Sequence, residues 1–191
     1  MFKKILALMF LVIVLVGCGV ADLYENTGNI NMPQSSEMND SDVKDNTDTV
    51  ILDENTELKD CEFNSLDDSI HYMSEYTGKP LVVHFWGPWC DPCLEEMVYF
   101  EELYNEYKDR VQFLMISTTN DKVGDKLLDY VDEYPFEIYY SKADKVNSTY
   151  ELWNIPTTYF VNEEGVIVKS FEIKQEYEVL RSCIEALLGD I

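Results

Sequence analysis

Two thiols three residues apart, Cys90 and Cys93, lie in the stretch Trp86-Gly87-Pro88-Trp89-Cys90-Asp91-Pro92-Cys93. Thiols at this spacing can close a small disulfide ring and reopen it, exchanging electrons with a partner disulfide. Metal binding is the other chemistry open to C-x-x-C, but a zinc knuckle needs a second ligand pair. Cys61, Cys183, His71 and His84 are left for that purpose, and none is paired at ligand spacing. No metal, and no cofactor beyond the redox-active disulfide, is therefore expected. The pair follows a predicted strand and opens a predicted helix, so unpaired N–H groups and the helix dipole favour a thiolate at Cys90. Cys90 is expected to attack a substrate disulfide and Cys93 to resolve the mixed intermediate. Asp91 works against that thiolate by like-charge repulsion, a sign that favours a reducing couple.

The elements that must hold the pair follow from hydrophobic patterning. Leu81 to Trp86 is a short apolar run suited to a central strand covered on both faces. A helix from about Cys93 to Lys108 places Met97, Phe100, Leu103, Tyr104 and Tyr107 on one side, and Val111 to Ser117 returns as a buried strand. Upstream, Ser65 with Asp68 resembles a capping box. Leu66, Ile70 and Met73 follow at helical spacing, which predicts a helix ending at Gly78-Lys79-Pro80. Downstream, Val123 to Tyr134 predicts a helix, Phe136 to Tyr140 a strand and Asp144 to Leu152 a helix. Two strands, Thr157 to Asn162 and Val166 to Phe171, flank a turn, and Glu176 to Leu188 closes the chain as a helix. Alternation first and a hairpin later predicts an α/β fold with a mixed sheet flanked by helices.

From about Lys79 to Leu188 the chain resembles the TlpA/ResA-like group of thioredoxin-fold thiol-disulfide oxidoreductases. The resemblance rests on Trp89-Cys90-Asp91-Pro92-Cys93, on Glu96-Met97, on the segment from Ile116-Ser117 through Phe136, and on the run Trp153-Asn154-Ile155-Pro156-Thr157-Thr158 with the hairpin after it. It implies a thioredoxin-like sheet carrying the group's strand-helix insertion, and a cis bond at Ile155-Pro156. That bond would present the Ile155 backbone beside Cys90 for pairing with an extended substrate strand. Trp89, Ile155 and Pro156 would then touch substrate, with Cys90, Cys93, Glu96 and Pro156 as the catalytic set. By the same resemblance Glu96 tunes the two thiols and accepts a proton during exchange. As a helix residue among Glu95, Glu101 and Glu102 it is equally readable as solvated charge. His84 stands where thioredoxin has a buried acid and the group often has Asn. It is either a buried neutral ring satisfied by one hydrogen bond or a proton relay to Cys93. Two departures from the group concern local shape: Val98 replaces a usual proline, and no Gly follows Phe171-Glu172.

The N-terminus predicts export. Lys3 and Lys4 precede an unbroken apolar run from Ile5 to Val16, too short to span a bilayer comfortably but suited to a signal peptide. Leu15-Val16-Gly17-Cys18 resembles the bacterial lipobox, which implies lipidation of Cys18; an uncleaved anchor helix is the alternative. The expected division is a lipoprotein signal at residues 1–17, a lipid-anchored acidic flexible tether at residues 18–54, and a thioredoxin-like domain at residues 55–191. Val50-Ile51-Leu52 is a candidate early strand. The tether, rich in Asn, Asp, Ser, Thr and Glu, would give the domain a reach of roughly 35 Å from the membrane. Export makes a Cys61–Cys183 disulfide plausible, and two free buried thiols fit the sequence as well.

The chain has 14 Lys and Arg against 37 Asp and Glu, a formal charge of −23, which excludes nucleic acid as a natural partner. The expected partners are exported protein thiols and disulfides, a membrane thiol-disulfide electron donor, and the membrane itself through Cys18. The resulting function is an extracytoplasmic enzyme on the outer face of the cell membrane that reduces disulfides in exported proteins. By resemblance, its substrates are apocytochrome c haem-attachment cysteines, spore-envelope proteins or another thiol enzyme. An oxidase or isomerase of the same fold, or a non-catalytic binding lipoprotein, are the alternatives.

Overall fold

The computed structural model describes residues 55–190. The expected signal at residues 1–17, Cys18, the tether at residues 18–54 and the candidate strand Val50-Ile51-Leu52 lie outside the described residues.

Every residue of β4, Leu81–Trp86, is buried, because the strand sits inside the sheet with side chains covered on both faces. It runs parallel to β5, Gln112–Ser117, through the crossover helix α1, Asp91–Tyr107, and β5 is parallel to β6, Ile138–Tyr140. On the other side β4 pairs antiparallel with β7, Thr157–Val161, and β7 with β8, Val166–Phe171. Gly165 closes the β7–β8 turn at φ +81°, a conformation that favours glycine. Short strands complete both edges: β1, Thr56–Glu57, lies on β8, while β2, Glu62–Ser65, and β3, Ile70–Tyr72, form a hairpin on β6. The sheet order is β1-β8-β7-β4-β5-β6-β2-β3. α1 and α3, Tyr177–Leu188, cover one face, where Val82, Trp86, Met97, Phe100, Leu180 and Ile184 pack together. The other face buries Phe63, Leu81, Val83, Phe85 and Tyr159, with Val146 from α2, Lys145–Tyr150. This is the mixed, helix-flanked sheet expected from the pattern.

Two predicted helices are absent. The helix expected from Ser65 to Pro80 is instead the β2–β3 hairpin followed by a single 3₁₀ turn at Met73–Tyr76. Asp67 accepts hydrogen bonds from the Ser65 hydroxyl at 2.6 Å and the Ser69 N–H at 3.0 Å, and Asp68 turns the chain at φ +71°. Short polar side chains bonded to nearby backbone compete with helix. The apolar spacing was coincidental, since Met73 is fully buried while Ile70 is 55% exposed. The helix expected over Val123 to Tyr134 shrinks to a 3₁₀ turn at Leu127–Tyr130. Lys126 adopts φ +61° at its start, and Leu127 is the core anchor while Val123 and Leu128 stay exposed. The segment between β5 and β6 therefore holds no strand of its own and only a fragment of the implied insertion's helix.

Cys61 and Cys183 are both free. Cys61 packs in the cluster on one face of the sheet and Cys183 against the cluster on the other, so the sheet lies between them. Burial pushes both thiols up, to about 12 and about 11 respectively, which keeps them unreactive.

Candidate active site

The end of β4 delivers the chain into a tight turn. A Cβ at Gly87 would lie 2.9 Å from the Trp89 ring and 3.2 Å from the Ile155 side chain, so this approach requires glycine. The turn closes with the Cys90 N–H donating to the Gly87 carbonyl at 3.0 Å, which sets Cys90 as the N-cap of α1 in an extended conformation. The Cys93 N–H donates to the Cys90 Sγ at 3.2 Å, and Pro92 in the first turn lacks an N–H that would otherwise compete. Cys90 and Cys93 are joined as a disulfide. Cys90 keeps 8% of its surface exposed and Cys93 none, so an incoming sulfur can reach only Cys90. When the pair is reduced, a thiolate at Cys90 inherits the Cys93 N–H and the positive end of the α1 dipole.

Opposite this sulfur, the Ile155-Pro156 bond is cis, as the resemblance implies. The Ile155 carbonyl oxygen lies 3.7 Å from the Cys90 Sγ. The β4–β7 ladder begins at Thr157, so Ile155 lies beyond its end. Trp89 is 55% exposed beside the pair, whereas Pro156 is buried.

Beneath the pair lies a polar group inside the core. Glu96, one helical turn beyond Cys93 on the same side of α1, is completely buried, which removes its reading as solvated charge. One carboxylate oxygen accepts the Gln175 N–H at 2.7 Å; the other has no hydrogen-bond partner and lies 3.8 Å from the His84 Nδ1. Burial lifts the Glu96 carboxyl to about 7, against the opposing pull of the Gln175 hydrogen bond and the Lys174 charge. His84 is buried as well, its Nδ1 3.0 Å from the Thr158 hydroxyl and its ring 4.6 Å from that of Phe100. Desolvation drives its ionisation far below the usual value, so the ring is neutral at physiological pH. Its Nε2 has no hydrogen-bond partner. Among the described residues no three His, Cys, Asp or Glu side chains group as a metal site.

With this geometry in place, the profile of the AhpC/TSA family matches residues 55–170, well over half of the chain. The chain belongs to the AhpC/TSA family. Within it, 107 residues are 36% identical to the thiol-disulfide oxidoreductase ResA of Oceanobacillus iheyensis, covering 53% of this chain and 54% of that protein. The chain thus matches about half the length of this curated relative. The fold is also that of two solved proteins. One is a thiol:disulfide interchange protein DsbE from Chlorobium tepidum, with a TM-score of 0.65 and 19% identity over 72% of this chain and 99% of that one. The other is the exposed lipoprotein thioredoxin Etrx1 of Streptococcus pneumoniae, with a TM-score of 0.56 and 24% identity over 66% and 99%. These likenesses establish a thioredoxin-like fold for this AhpC/TSA chain.

In this family member the structure brings together Trp89, Cys90, Cys93, Ile155 and Pro156 at the end of β4, with Trp89 exposed and Cys93 and Pro156 buried, and Glu96 beside His84 in the core. Cys18 lies outside the described residues. Three contacts around the site escaped sequence reasoning. Thr158 reaches His84 through antiparallel register, Gln175 contributes only its backbone N–H, and Phe100, read as core, also walls the His84 ring. Only a known β4–β7 register would have flagged the first, and no residue-type signal marks the second.

Proposed function

We propose that the protein is a membrane-tethered extracytoplasmic thiol-disulfide oxidoreductase that reduces disulfides in exported proteins. The observation that carries the reading is the asymmetric pair at the α1 N-terminus, a reachable Cys90 bonded to an unreachable Cys93. In the reduced enzyme the Cys90 thiolate attacks one sulfur of the substrate disulfide, forms the mixed disulfide and expels the other substrate sulfur as a thiolate. Glu96 takes the Cys93 proton, and the Cys93 thiolate attacks the Cys90 Sγ, releasing the second substrate thiolate and closing Cys90–Cys93. The substrate has gained two electrons, and its thiolates recover the two protons. A membrane dithiol donor must then return two electrons to the pair. The Ile155 backbone and Trp89 hold the substrate strand, while His84, neutral and bonded through Nδ1 to Thr158, leaves the inner Glu96 oxygen unpartnered and open to the proton. No cofactor takes part beyond the disulfide.

The tethered, outward location is supported by Lys3, Lys4, the apolar run and Leu15-Val16-Gly17-Cys18. Among the described residues no helix is long and apolar enough to cross a membrane. Apocytochrome c is one exported substrate of the kind this chemistry serves. The Cys93→Ala variant, unable to resolve, is expected to accumulate mixed disulfides with exported proteins that dithiothreitol releases and mass spectrometry identifies. If none forms beyond the level of a Cys90→Ala control, the reading fails. Cys18→Ser is expected to move the protein from the membrane pellet to the soluble or released fraction; unchanged pelleting would contradict lipid anchoring.

A further inference from the structure

Trp153 is 88% exposed, an unusual placement for so large an apolar ring two residues from Ile155. Three cavities meet at it. One, of about 220 Å³, runs between Trp153 and Trp89 over Ile155, the residue whose carbonyl faces the Cys90 Sγ. A second, of about 380 Å³, is lined by Asp144 and Glu151. A third, of about 160 Å³, is lined by Glu151 and Glu172. No Lys or Arg lines any of the three. Cavities that share one indole, one of them reaching Trp89 and Ile155, suit successive side chains of an extended segment. Their charged lining is of one sign only.

We propose that Trp153, with Asp144, Glu151 and Glu172, is a recognition site for a basic side chain that flanks the target cysteine of the substrate. This inference rests on the oxidoreductase reading above and names the class of segment the enzyme prefers. A guanidinium or ammonium group stacked on the Trp153 face gains from the ring's negative quadrupole, and the carboxylates that share two cavities with Trp153, Asp144 and Glu151 in one and Glu151 and Glu172 in the other, offer complementary charge. The overall charge of −23 draws such segments in from solution. Reach fixes the position. With substrate sulfur on Cys90 and backbone along Ile155, Trp153 lies two residues on, a span of up to roughly 7 Å of extended chain. The basic residue therefore stands two or three positions from the half-cystine. An apolar occupant would leave the carboxylates without a role, and an acidic one would be repelled.

The test uses the full chain, reduced, and three cystine peptides identical except for Arg, norleucine or Glu two positions from the half-cystine. The kcat/KM for the Arg peptide is expected to exceed that for the Glu peptide about tenfold or more, with norleucine between, and the ratio is expected to shrink at high salt. Trp153→Ala and Glu151→Gln should each bring the Arg-to-Glu ratio towards parity. Equal rates for Arg and Glu, or norleucine matching Arg, would overturn the proposal. Binding of S-methylated versions of the same peptides to a Cys90→Ser/Cys93→Ser variant, followed by tryptophan fluorescence, gives an independent arm. Should none of the cystine peptides be reduced, the oxidoreductase reading falls, while the order of binding affinities still decides for or against a basic-residue site.

Discussion

Cys90→Ser is expected to lower the rate of insulin reduction by at least ~10³-fold, the scale on which removal of a covalent nucleophile falls. Serine keeps the geometry, because its hydroxyl can accept the Cys93 N–H that the Cys90 Sγ now accepts at 3.2 Å, so α1 keeps its N-cap. What it removes is the only sulfur of the pair with exposed surface. The melting temperature of the variant should match that of the reduced wild type. The oxidised wild type is the wrong reference, since closing even a short disulfide loop contributes about 2 kcal/mol. Activity within tenfold of wild type would mean that exchange does not run through Cys90.

Glu96→Gln is expected to act in opposite directions on activity and stability. The carboxyl is lifted from an ordinary value of 4.5 to about 7 by burial. The folded state therefore holds a proton that the unfolded state has lost between about pH 4.5 and 7, and stability falls as pH rises through that window. Below pH 4 both states are protonated and there is no penalty; above pH 8 the penalty is complete, at about 3 kcal/mol from the size of the shift. Glutamine stays neutral, and its side-chain oxygen can still accept the Gln175 N–H. The variant should thus be about 3 kcal/mol more stable than wild type at pH 8 and equal to it at pH 4, as read by denaturant unfolding at both pH values. Activity should move the other way. Loss of a general base near neutral pH costs on the order of 10²-fold, and the inflection near pH 7 in the exchange rate should disappear. A variant with the wild-type pH profile would remove Glu96 from the proton path. A gain in stability coupled to a loss in rate is the signature of a buried acid retained for chemistry.

The reactive pair and the central strand were legible because their signals are local: an apolar run, a turn with Gly and Pro, and two thiols at the start of a helix. The buried state of Glu96 was not. Glu95, Glu96, Glu101 and Glu102 look alike in sequence, and only the packing of α1 against β4 and the Gln175 backbone separates one from the rest. His84 could be read as buried, but its partner Thr158 could not, since the β4–β7 register is a tertiary fact. The two helices that did not form had the right apolar spacing and too few buried residues to hold it. At Ser65–Ser69 and around Asp121, side-chain hydrogen bonds to backbone set turns instead. Trp153 entered the sequence reading only as part of a motif, because exposure of 88% cannot be seen without the surrounding surface.

One reachable and one buried sulfur are expected to interconvert between dithiol and disulfide at potentials a cell can impose. Equilibrating the full chain in graded dithiothreitol or glutathione buffers, with mass-spectrometric readout of the Cys90 and Cys93 peptides, tests it directly. A single two-electron transition is expected, about 30 mV per tenfold change in ratio, towards the reducing end, about −270 mV, of a span that reaches roughly −120 mV among thiol-disulfide couples. A pair that stays wholly oxidised or wholly reduced across every accessible buffer would contradict it.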